Sequence, residues 1–463
     1  MKYISTRGQA PALGFEDAML SGLARDGGLY VPAQWPHLGA DEIAAFAGLR
    51  YEEVAFRVMK PFIGDTYEDD EFRDIIARAY QGFRHEARCP IVQIGENDFL
   101  LELHHGPTLA FKDVAMQLIG QMFEASLKRR GERVTIVGAT SGDTGSAAIE
   151  AFRGLDAVDV FIMFPNGRVS EVQRRQMTTP ADANVHALSV DGDFDDCQAL
   201  LKDMFNDFAF RDEVHLAGVN SINWARVLAQ VVYYFTSAVA LGAPYRKVSF
   251  TVPTGNFGDI FAGFVARRMG LPIDRLIIAT NQNNILHRTL QTGAYTKQGV
   301  IPSISPSMDI QVSSNFERAL FDIYDREGPA VAALMDDLKS GAFTLSQGAQ
   351  ERLRLEFDSG DCSEDETLAA IATVHRMSGQ IVCPHTAVGV KVAADKRISG
   401  QTPMITLATA HAAKFPDAVE QAIGLRPPLP PHMADIFARP ERFSSVPRDL
   451  AKIEALIRAE RRT

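Results

Sequence analysis

Short runs of apolar residues alternate with longer amphipathic stretches from about residue 90 onward. The runs have strand length, and the stretches between them repeat apolar positions at helical spacing. Such alternation is typical of parallel βαβ units, in which helices cover both faces of a sheet. The predicted strands are residues 90–94, 134–137, 160–164, 185–190, 248–252, 276–279, 381–382 and 404–408, and the main helices between them are 144–153, 170–176, 194–207, 224–241, 259–269 and 386–395.

The same pattern divides the chain into three parts. Residues 1–90 carry short helical patterns and are predicted to form a mainly helical N-terminal domain. Residues 91–245 are predicted to form a smaller α/β region, and residues 246–463 a larger one whose stretch 316–376 is mostly helical. The predicted fold class is therefore α/β, with two α/β domains around parallel sheets after a helical opening domain.

Composition and charge exclude several classes of protein. The 47 basic and 58 acidic residues give a net charge of −11, which argues against nucleic acid as the main partner. The four cysteines form no C-x-x-C pair, the N-terminus lacks a signal-peptide pattern, and the longest apolar helical stretch is too short for a membrane span. We therefore expect a cytoplasmic protein that binds neither membranes nor nucleic acid.

A lysine at the start of a helix is the first candidate for chemistry. The sequence His-His-Gly-Pro-Thr-Leu-Ala-Phe-Lys-Asp at 104–113 reads as a strand end, a turn and the first turn of a helix over 108–129. Lys112 lies on the apolar face of that helix, where burial would favour the neutral amine that Schiff-base chemistry requires. On this stretch alone, a lysine that extends its ammonium group to water is the simpler interpretation.

Two loops with several glycines each lie between a predicted strand and a predicted helix. The first, 138–145, offers backbone amides and the hydroxyls of Thr140, Ser141 and Thr144 to a carboxylate or a phosphate. An ordinary helix cap provided by Ser141 or Asp143 explains the same residues equally well.

The second loop, 253–259, is moderately specific for a single phosphate group. Its glycines permit close backbone approach, so that successive amides can surround an anion. Two such loops in one chain suggest a phosphorylated cofactor beside an anionic substrate. The residues of this loop that are candidates for phosphate binding are Gly255, Asn256, Phe257, Gly258 and Asp259.

Three further polar residues follow from position alone. Thr409 follows a predicted strand, at the edge where parallel sheets bind ligands, although on position alone a threonine that caps a turn is the simpler interpretation. Asn223 and Arg226 begin the most apolar helix and could bind an anionic substrate, or serve as a helix cap and a solvated residue. The histidines show no metal-ligand spacing, so no metal site is predicted.

Together these motifs resemble the threonine synthases, a family of pyridoxal-phosphate enzymes of fold type II. The resemblance covers nearly the whole chain. It begins in segments 3–8 and 26–32, which are similar to the family's N-terminal domain, and includes Pro-Thr-Leu-Ala-Phe-Lys-Asp, Thr-Ser-Gly-Asp-Thr-Gly, Asn-Ser-Ile-Asn and Thr-Ala-His. Two departures are visible: other branches carry Asn where Asp143 stands, and many members carry proline where Ala412 stands.

The resemblance implies a role for each candidate residue. Lys112 would form the Schiff base with pyridoxal 5'-phosphate and move protons once substrate displaces it, and the second loop would hold the cofactor phosphate. Thr409 would contact the pyridine nitrogen, and Asp143 would lie near the phenolic oxygen. Residues 140–144 would bind the substrate carboxylate. Asn223 and Arg226 are the weaker candidates for the substrate phosphate.

The implied reaction converts O-phospho-L-homoserine and water to L-threonine and phosphate. We expect this small molecule to be the substrate, and the chain to be a monomer or a homodimer. Two alternatives remain open from the sequence: a phospholyase on the same scaffold that releases a 2-oxo acid, and a catalytically idle protein of the same fold. The intact lysine and loops argue against the idle protein and do not decide between synthase and lyase.

Overall fold

The computed structural model describes residues 1–462. Its two main sheets consist mostly of parallel strands and are surrounded by helices. The strands are β1 (Tyr3–Ser5), β2 (Tyr30–Pro32), β3 (Ile91–Gln93), β4 (Asp98–Glu102), β5 (Val134–Ala139), β6 (Val158–Pro165), β7 (Val185–Val190), β8 (Leu216–Ala217), β9 (Val248–Pro253), β10 (Ile273–Thr280), β11 (Ala294–Thr296), β12 (Ala342–Thr344), β13 (Asp358–Asp361), β14 (Met404–Ala408) and β15 (Ser444–Val446).

The helices that connect these strands range from five to 19 residues. They are α1 (Phe15–Ser21), α2 (Ala40–Ala44), α3 (Tyr51–Ile63), α4 (Asp69–Tyr80), α5 (Lys112–Arg130), α6 (Asp143–Phe152), α7 (Glu171–Thr178), α8 (Phe194–Asn206), α9 (Phe208–Glu213), α10 (Trp224–Ala240), α11 (Gly258–Arg268), α12 (Ile285–Thr292), α13 (Phe316–Ile323), α14 (Gly328–Lys339), α15 (Gln347–Glu356), α16 (Glu364–Ser378), α17 (Pro384–Lys396), α18 (Pro416–Ile423) and α19 (Leu450–Glu460). None of the helices within 1–462 is long and apolar enough to cross a membrane.

The smaller sheet has five parallel strands in the order β15-β7-β6-β5-β8. Every residue of β6 is buried, as expected for a central strand that is covered on both faces. Helices α8 and α19 pack on one side of this sheet, where they share a separate apolar cluster with β5, β6 and β7. The carboxyl end of β5 leads directly into the first glycine loop, so the sheet fixes where that loop lies.

The larger sheet has six strands in the order β13-β10-β9-β14-β4-β3. All neighbours are parallel except the antiparallel pair β3 and β4. The carboxyl end of β9 leads into the second glycine loop, and that of β14 leads to Thr409. In parallel sheets these ends form one ligand-binding edge.

Sheet membership crosses the predicted boundary at residue 245. Strands β3 and β4 belong by sequence to the 91–245 region but lie in the larger sheet, and β15 lies in the smaller sheet although it follows residue 246. The chain therefore passes between the two sheets more than once. The three-part division by residue number remains a prediction about domains.

Two local predictions are wrong. Residues 381–382 are not a strand but an irregular segment before α17, whose N-cap is Cys383 and whose first residue is Pro384. The sheet position beside β10 is filled instead by β13, whose sequence Asp-Ser-Gly-Asp has no apolar pattern to reveal it.

The predicted helix start at 108 is also wrong. Leu109 has φ +64°, which breaks any helix at that point, and Ala110 forms an isolated antiparallel bridge with Ala410. Helix α5 therefore begins at Lys112. This shift places the lysine at the helix terminus that faces the end of β14.

Candidate active site

One cavity of about 690 Å³ lies where the two glycine loops, the start of α5 and the end of β14 meet. It gathers every residue that the sequence predicted for the site except Asn223. The predicted residues that line it are Lys112, Thr140, Ser141, Asp143, Thr144, Arg226, Gly255, Asn256, Phe257, Gly258, Asp259 and Thr409.

Lys112 points into the cavity from the first position of α5. The backbone N–H of Phe111 donates to the carbonyl of Thr409 at 2.7 Å, which ties the start of α5 to the end of β14. The lysine side chain is only 12% exposed, and Nζ lies 4.5 Å from the centre of the Phe111 ring. Burial lowers the pKa of Lys112 to about 8, although the charge of Asp143 acts in the opposite direction. About a tenth of the amine is therefore neutral at pH 7, far more than for a lysine with the ordinary pKa of 10.5.

Asp143 is a buried carboxylate with cations on two sides. Its Oδ1 lies 2.7 Å from Nζ of Lys414 and accepts a hydrogen bond from Nε2 of Gln173 at 3.0 Å. Its Oδ2 lies 4.0 Å from Nζ of Lys112 and accepts a bond from Oγ of Ser307 at 3.3 Å. Burial alone would raise the pKa of Asp143, but the charges of Lys414 and Lys112 outweigh it and hold that pKa well below its usual range.

The first glycine loop is shaped by Thr140. The Oγ1 of Thr140 accepts hydrogen bonds from the amides of Gly142 and Gly145, both at 2.9 Å. Gly142 has φ +140°, and a Cβ there would lie 2.3 Å from the side-chain amide carbon of Gln173. Within residues 1–462, the amides of Ser141 and Thr144 have no hydrogen-bond partner. These two amides remain available to a ligand at the start of α6.

The second glycine loop leaves more of its amides open. None of the hydrogen bonds within residues 1–462 uses the amides of residues 256–260 as donors. Phe257 has φ +63°, a conformation uncommon for a large residue, and its buried ring packs against Phe316 and Phe357. A Cβ at Gly255 would lie 2.6 Å from the carbonyl oxygen of Ser307. The loop is thus a fixed concave surface of N–H groups, which suits a phosphate.

Aspartate 259, at the end of this loop, differs from Asp143. Its Oδ1 accepts hydrogen bonds from the hydroxyls of Tyr233 and Tyr234, and Oδ2 has no partner within residues 1–462. Burial raises the pKa of Asp259 to about 7, while the two tyrosine hydroxyls oppose that rise. The group is therefore largely a neutral acid below neutral pH.

Arg226 and Asn223 have separate roles although they share the start of α10. Arg226 lines the cavity, is only 4% exposed and forms no salt bridge among residues 1–462, and its Nη1 donates to the carbonyl of Val219 at 3.3 Å. The Asn223 side chain instead accepts from the amide of Ala225 and donates to the carbonyls of Met19 and Gly218. The Asn223 side chain therefore caps the helix, and the residue does not line the cavity, so its contact with a ligand stays a prediction.

The opposite wall of the cavity contributes a hydroxyl and an imidazole. No hydrogen bond within residues 1–462 involves the hydroxyl of Thr409, which leaves it free for a ligand. His385 accepts from the amide of Ser307 at Nε2, and burial lowers its pKa to about 4. It is therefore neutral. Among residues 1–462, no group of three or more His, Cys, Asp or Glu is arranged to hold a metal ion.

Sequence reasoning missed four residues that build this site. Gln173, Ser307 and His385 come from segments that show no motif, so their positions follow only from the fold. Lys414 had a visible signal: it is a lysine between Ala413 and Phe415, a few residues after the buried strand β14. A charged residue in such an apolar context indicates a buried partner.

Three family profiles match successive parts of the chain. One described as "Threonine synthase N terminus" matches residues 2–80, "Pyridoxal-phosphate dependent enzyme" matches 86–350, and "Threonine synthase, C-terminal" matches 386–457. The second of these covers more than half of the chain.

Individual relatives agree with the profiles. The threonine synthase of Pseudomonas aeruginosa is 55% identical over 99% of this chain and 98% of its own length. The crystal structure of PLP-bound threonine synthase from Brucella melitensis superposes with a TM-score of 0.97 at 58% identity and covers all of both chains. The yeast threonine synthase structure has a TM-score of 0.93 at 39% identity, over 99% of this chain and 98% of the other.

The residues of the cavity fit pyridoxal phosphate. The cofactor needs a lysine that can deprotonate and a cradle for its phosphate, and Lys112 and the open amides of 256–260 provide both. The smaller and larger sheets supply the α/β architecture of fold type II. The chain therefore belongs to the threonine synthase family of pyridoxal-phosphate-dependent enzymes.

Proposed function

We propose that this enzyme converts O-phospho-L-homoserine and water into L-threonine and inorganic phosphate. The observation that carries the proposal is Arg226, a buried guanidinium with no carboxylate partner in residues 1–462, which lines the same cavity as the Lys112 amine. A buried charge without a partner is unfavourable unless a ligand supplies the opposite charge. A phosphorylated amino acid supplies that charge beside the cofactor.

The cofactor side of the cavity is formed by Lys112, the second loop and Thr409. Lys112 would hold pyridoxal phosphate covalently, and the open amides of residues 256–260 would bind its phosphate. The free hydroxyl of Thr409 would contact the ring nitrogen without transferring a full proton to it. When bound, the cofactor supplies an electron sink for carbanion chemistry.

The substrate side is formed by the first loop and Arg226. The amides of Ser141 and Thr144, together with the hydroxyl of Thr140, would bind the substrate carboxylate at the start of α6. Thr140 accepts two amide hydrogens but keeps its own hydroxyl hydrogen for donation. Arg226 would bind the substrate phosphate and then stabilise it as the leaving group.

Proton transfer falls to the amine of Lys112. With a pKa of about 8, the free amine can accept a proton from one carbon of the substrate and return it to another. The neighbouring Asp143 carboxylate stabilises the ammonium form between these two steps.

Product analysis in ¹⁸O-labelled water tests the reaction. A synthase adds the labelled water to carbon, so the label appears in the threonine hydroxyl and threonine matches phosphate nearly one to one. If 2-oxobutyrate and ammonia dominate, the enzyme is a phospholyase and the proposal fails. If neither phosphate nor product forms, the chain is a binding protein. Borohydride reduction followed by peptide mapping should find the cofactor on Lys112.

The proposal also includes a cytoplasmic location and an assembly no larger than a dimer. All four cysteines are free thiols, which suits a reducing compartment. Fluorescent tagging of the whole protein in cells checks the location. Light scattering during gel filtration checks the assembly, and a tetramer would contradict it.

A further inference from the structure

A second lysine lies behind the site. Lys414 belongs to the short segment after β14, and its side chain is fully buried. Its Nζ donates to the carbonyl of Thr108 at 2.8 Å and lies 2.7 Å from Oδ1 of Asp143. Lys414 does not line the cavity, so it cannot touch a ligand directly. A fully buried ammonium group requires compensation, and Asp143 is the anion that provides it.

The two oxygens of Asp143 face different groups. Oδ1 is held by Lys414 and Gln173, at 2.7 and 3.0 Å. Oδ2 is directed to Lys112, at a longer separation of 4.0 Å. The carboxylate is therefore anchored by the lysine behind the site, while its second oxygen stays near the lysine inside it without closing a short ion pair.

This arrangement decides which lysine is the counter-ion of Asp143. If Lys414 were absent, Asp143 would be a buried carboxylate with Lys112 as its nearest cation. The carboxylate would then turn to Lys112 and hold it as an ammonium group, which is neither a nucleophile nor a base. The charged or titratable groups that act on Lys112 are Asp143, Arg226, Lys414, Asp259 and His385.

We propose that Lys414 is a positioning residue that occupies Asp143 as its ion-pair partner and thereby leaves the amine of Lys112 free to deprotonate. This inference rests on the proposed function, in which Lys112 is the cofactor lysine. A simpler role for Lys414 is to hold the segment before α5 in place through its hydrogen bond to the Thr108 carbonyl. That role predicts a change in stability without a change in the titration of Lys112.

The experiment measures the reactivity of the Lys112 amine in the full-length, cofactor-free chain. Trace acetylation with acetic anhydride at a series of pH values, followed by peptide mass spectrometry, gives the midpoint at which Lys112 becomes a free amine. The variants are Lys414→Met, Lys414→Gln, which keeps a donor for Thr108, and Lys414→Arg, which keeps the charge. Lys391→Met is the matched control, because it removes a lysine paired with Glu366 and Asp395 away from the cavity.

We expect the midpoint to rise by at least about 1 pH unit in Lys414→Met and Lys414→Gln. It should stay near the wild-type value in Lys391→Met and in Lys414→Arg. In an Asp143→Asn background, the shift caused by Lys414→Met should be less than about half of the shift measured with Asp143 present. The reason is that the variant has no carboxylate that could turn toward Lys112. Circular dichroism identifies any variant that fails to fold, and the Gln variant then replaces Met.

Two results would overturn the inference. If the titration midpoint of Lys112 were unchanged in both neutral variants, Lys414 would serve only to hold the Thr108 carbonyl in place. An equal shift with and without Asp143 would mean that Lys414 acts only by direct repulsion of Lys112. Since the labelling needs neither substrate nor turnover, its failure is distinct from a failure of the ¹⁸O experiment.

Discussion

The two glycine loops occupy equivalent places in the two sheets but differ in charge. Each connects a buried strand to a helix, and each helix has an aspartate in its first turn, Asp143 in α6 and Asp259 in α11. Asp143 lies beside Lys414 and Lys112 and is ionised. Asp259 lies beside two tyrosine hydroxyls, and burial raises its pKa to about 7. The same residue type in the first turn of each helix is thus ionised in one loop and mostly neutral in the other near pH 6.

The charge states follow from neighbours that are remote in sequence. Lys414 contacts Asp143 from the segment after β14, a strand of the larger sheet. Tyr233 and Tyr234 contact Asp259 from α10. A neutral acid beside the open amides of the second loop avoids repulsion of a phosphate dianion. An ionised acid in the first loop instead faces a lysine. The difference supports the proposal that the second loop binds the cofactor phosphate, whereas Asp143 of the first loop lies beside the amine of Lys112.

Replacement of Gly255 by Ala should give the largest effect and tests the phosphate side of this comparison. The new Cβ would lie 2.6 Å from the Ser307 carbonyl, so backbone must move. Overpacking of this kind costs about 1–3 kcal/mol, so the Kd for pyridoxal phosphate should rise up to about 100-fold. Gly258→Ala is the control, since its Cβ would meet only side-chain atoms, of Asn315 at 3.3 Å and of Gln230 at 3.7 Å. Cofactor titration measures the Kd of both variants. An equal loss of cofactor affinity in the two would contradict a special role for Gly255.

Arg226→Met tests whether Arg226 binds the substrate and not the cofactor. Loss of a charge-assisted hydrogen bond costs about 1.5–3 kcal/mol, so KM for O-phospho-L-homoserine should rise about 10- to 100-fold. The Kd of the cofactor should not change. Asn223→Ala should leave KM unchanged and cost about 1 kcal/mol of stability, because it removes a helix cap. Steady-state kinetics and urea unfolding separate the two, and an unchanged KM in Arg226→Met would leave the substrate phosphate without its proposed ligand.

Much of the fold could be predicted because it depends on local pattern. Strands such as β5 and β7 are apolar runs, and helices such as α10 carry a continuous apolar face. Strand β13 could not be found, because its sequence Asp-Ser-Gly-Asp carries no apolar pattern that indicates a strand. The start of α5 was misplaced because the left-handed Leu109 is held by tertiary contacts that no local preference reveals.

The sequence could predict which residues form the site, but not which side chains contact one another within it. Lys112 and the second loop were identified by motif and line one cavity. The role of Asn223 could not be decided from the sequence, because a cap and a ligand donor use the same side chain and only the fold determines its neighbours. The pairing of Asp143 with Lys414 spans 271 residues and needs both sheets in place.

Asp259→Asn should reveal the neutral acid as a pH-dependent gain in stability. The folded pKa of about 7 lies above the ordinary value of 3.8, so the stabilising effect of the neutral form is full below pH 3.8 and is lost as pH rises to 7. In the cofactor-free chain, the variant should therefore gain about 3 kcal/mol relative to wild type between pH 5 and pH 8. Urea unfolding at the two pH values measures this gain.

Asp143→Asn is the matched variant for this pH experiment. The folded pKa of Asp143 is depressed, so its stabilising effect is present above pH 3.8 and is lost only at lower pH. The variant should be destabilised at both pH 5 and pH 8, because Lys414 loses its ion-pair partner at both pH values. A variant as stable as wild type at pH 8 would contradict an ionised Asp143.

Thr140→Val should have the smallest effect and tests how the first loop is held. The valine removes the oxygen that accepts from the amides of Gly142 and Gly145, which leaves two donors without a partner. We expect a loss of about 1 kcal/mol in stability and a several-fold rise in substrate KM, with Thr140→Ser close to wild type. Thr144→Val is the control for stability, since the Thr144 hydroxyl has no partner in residues 1–462. If Thr140→Val weakened cofactor binding instead of substrate binding, the first loop would hold the cofactor and the assignment of the two loops would be reversed.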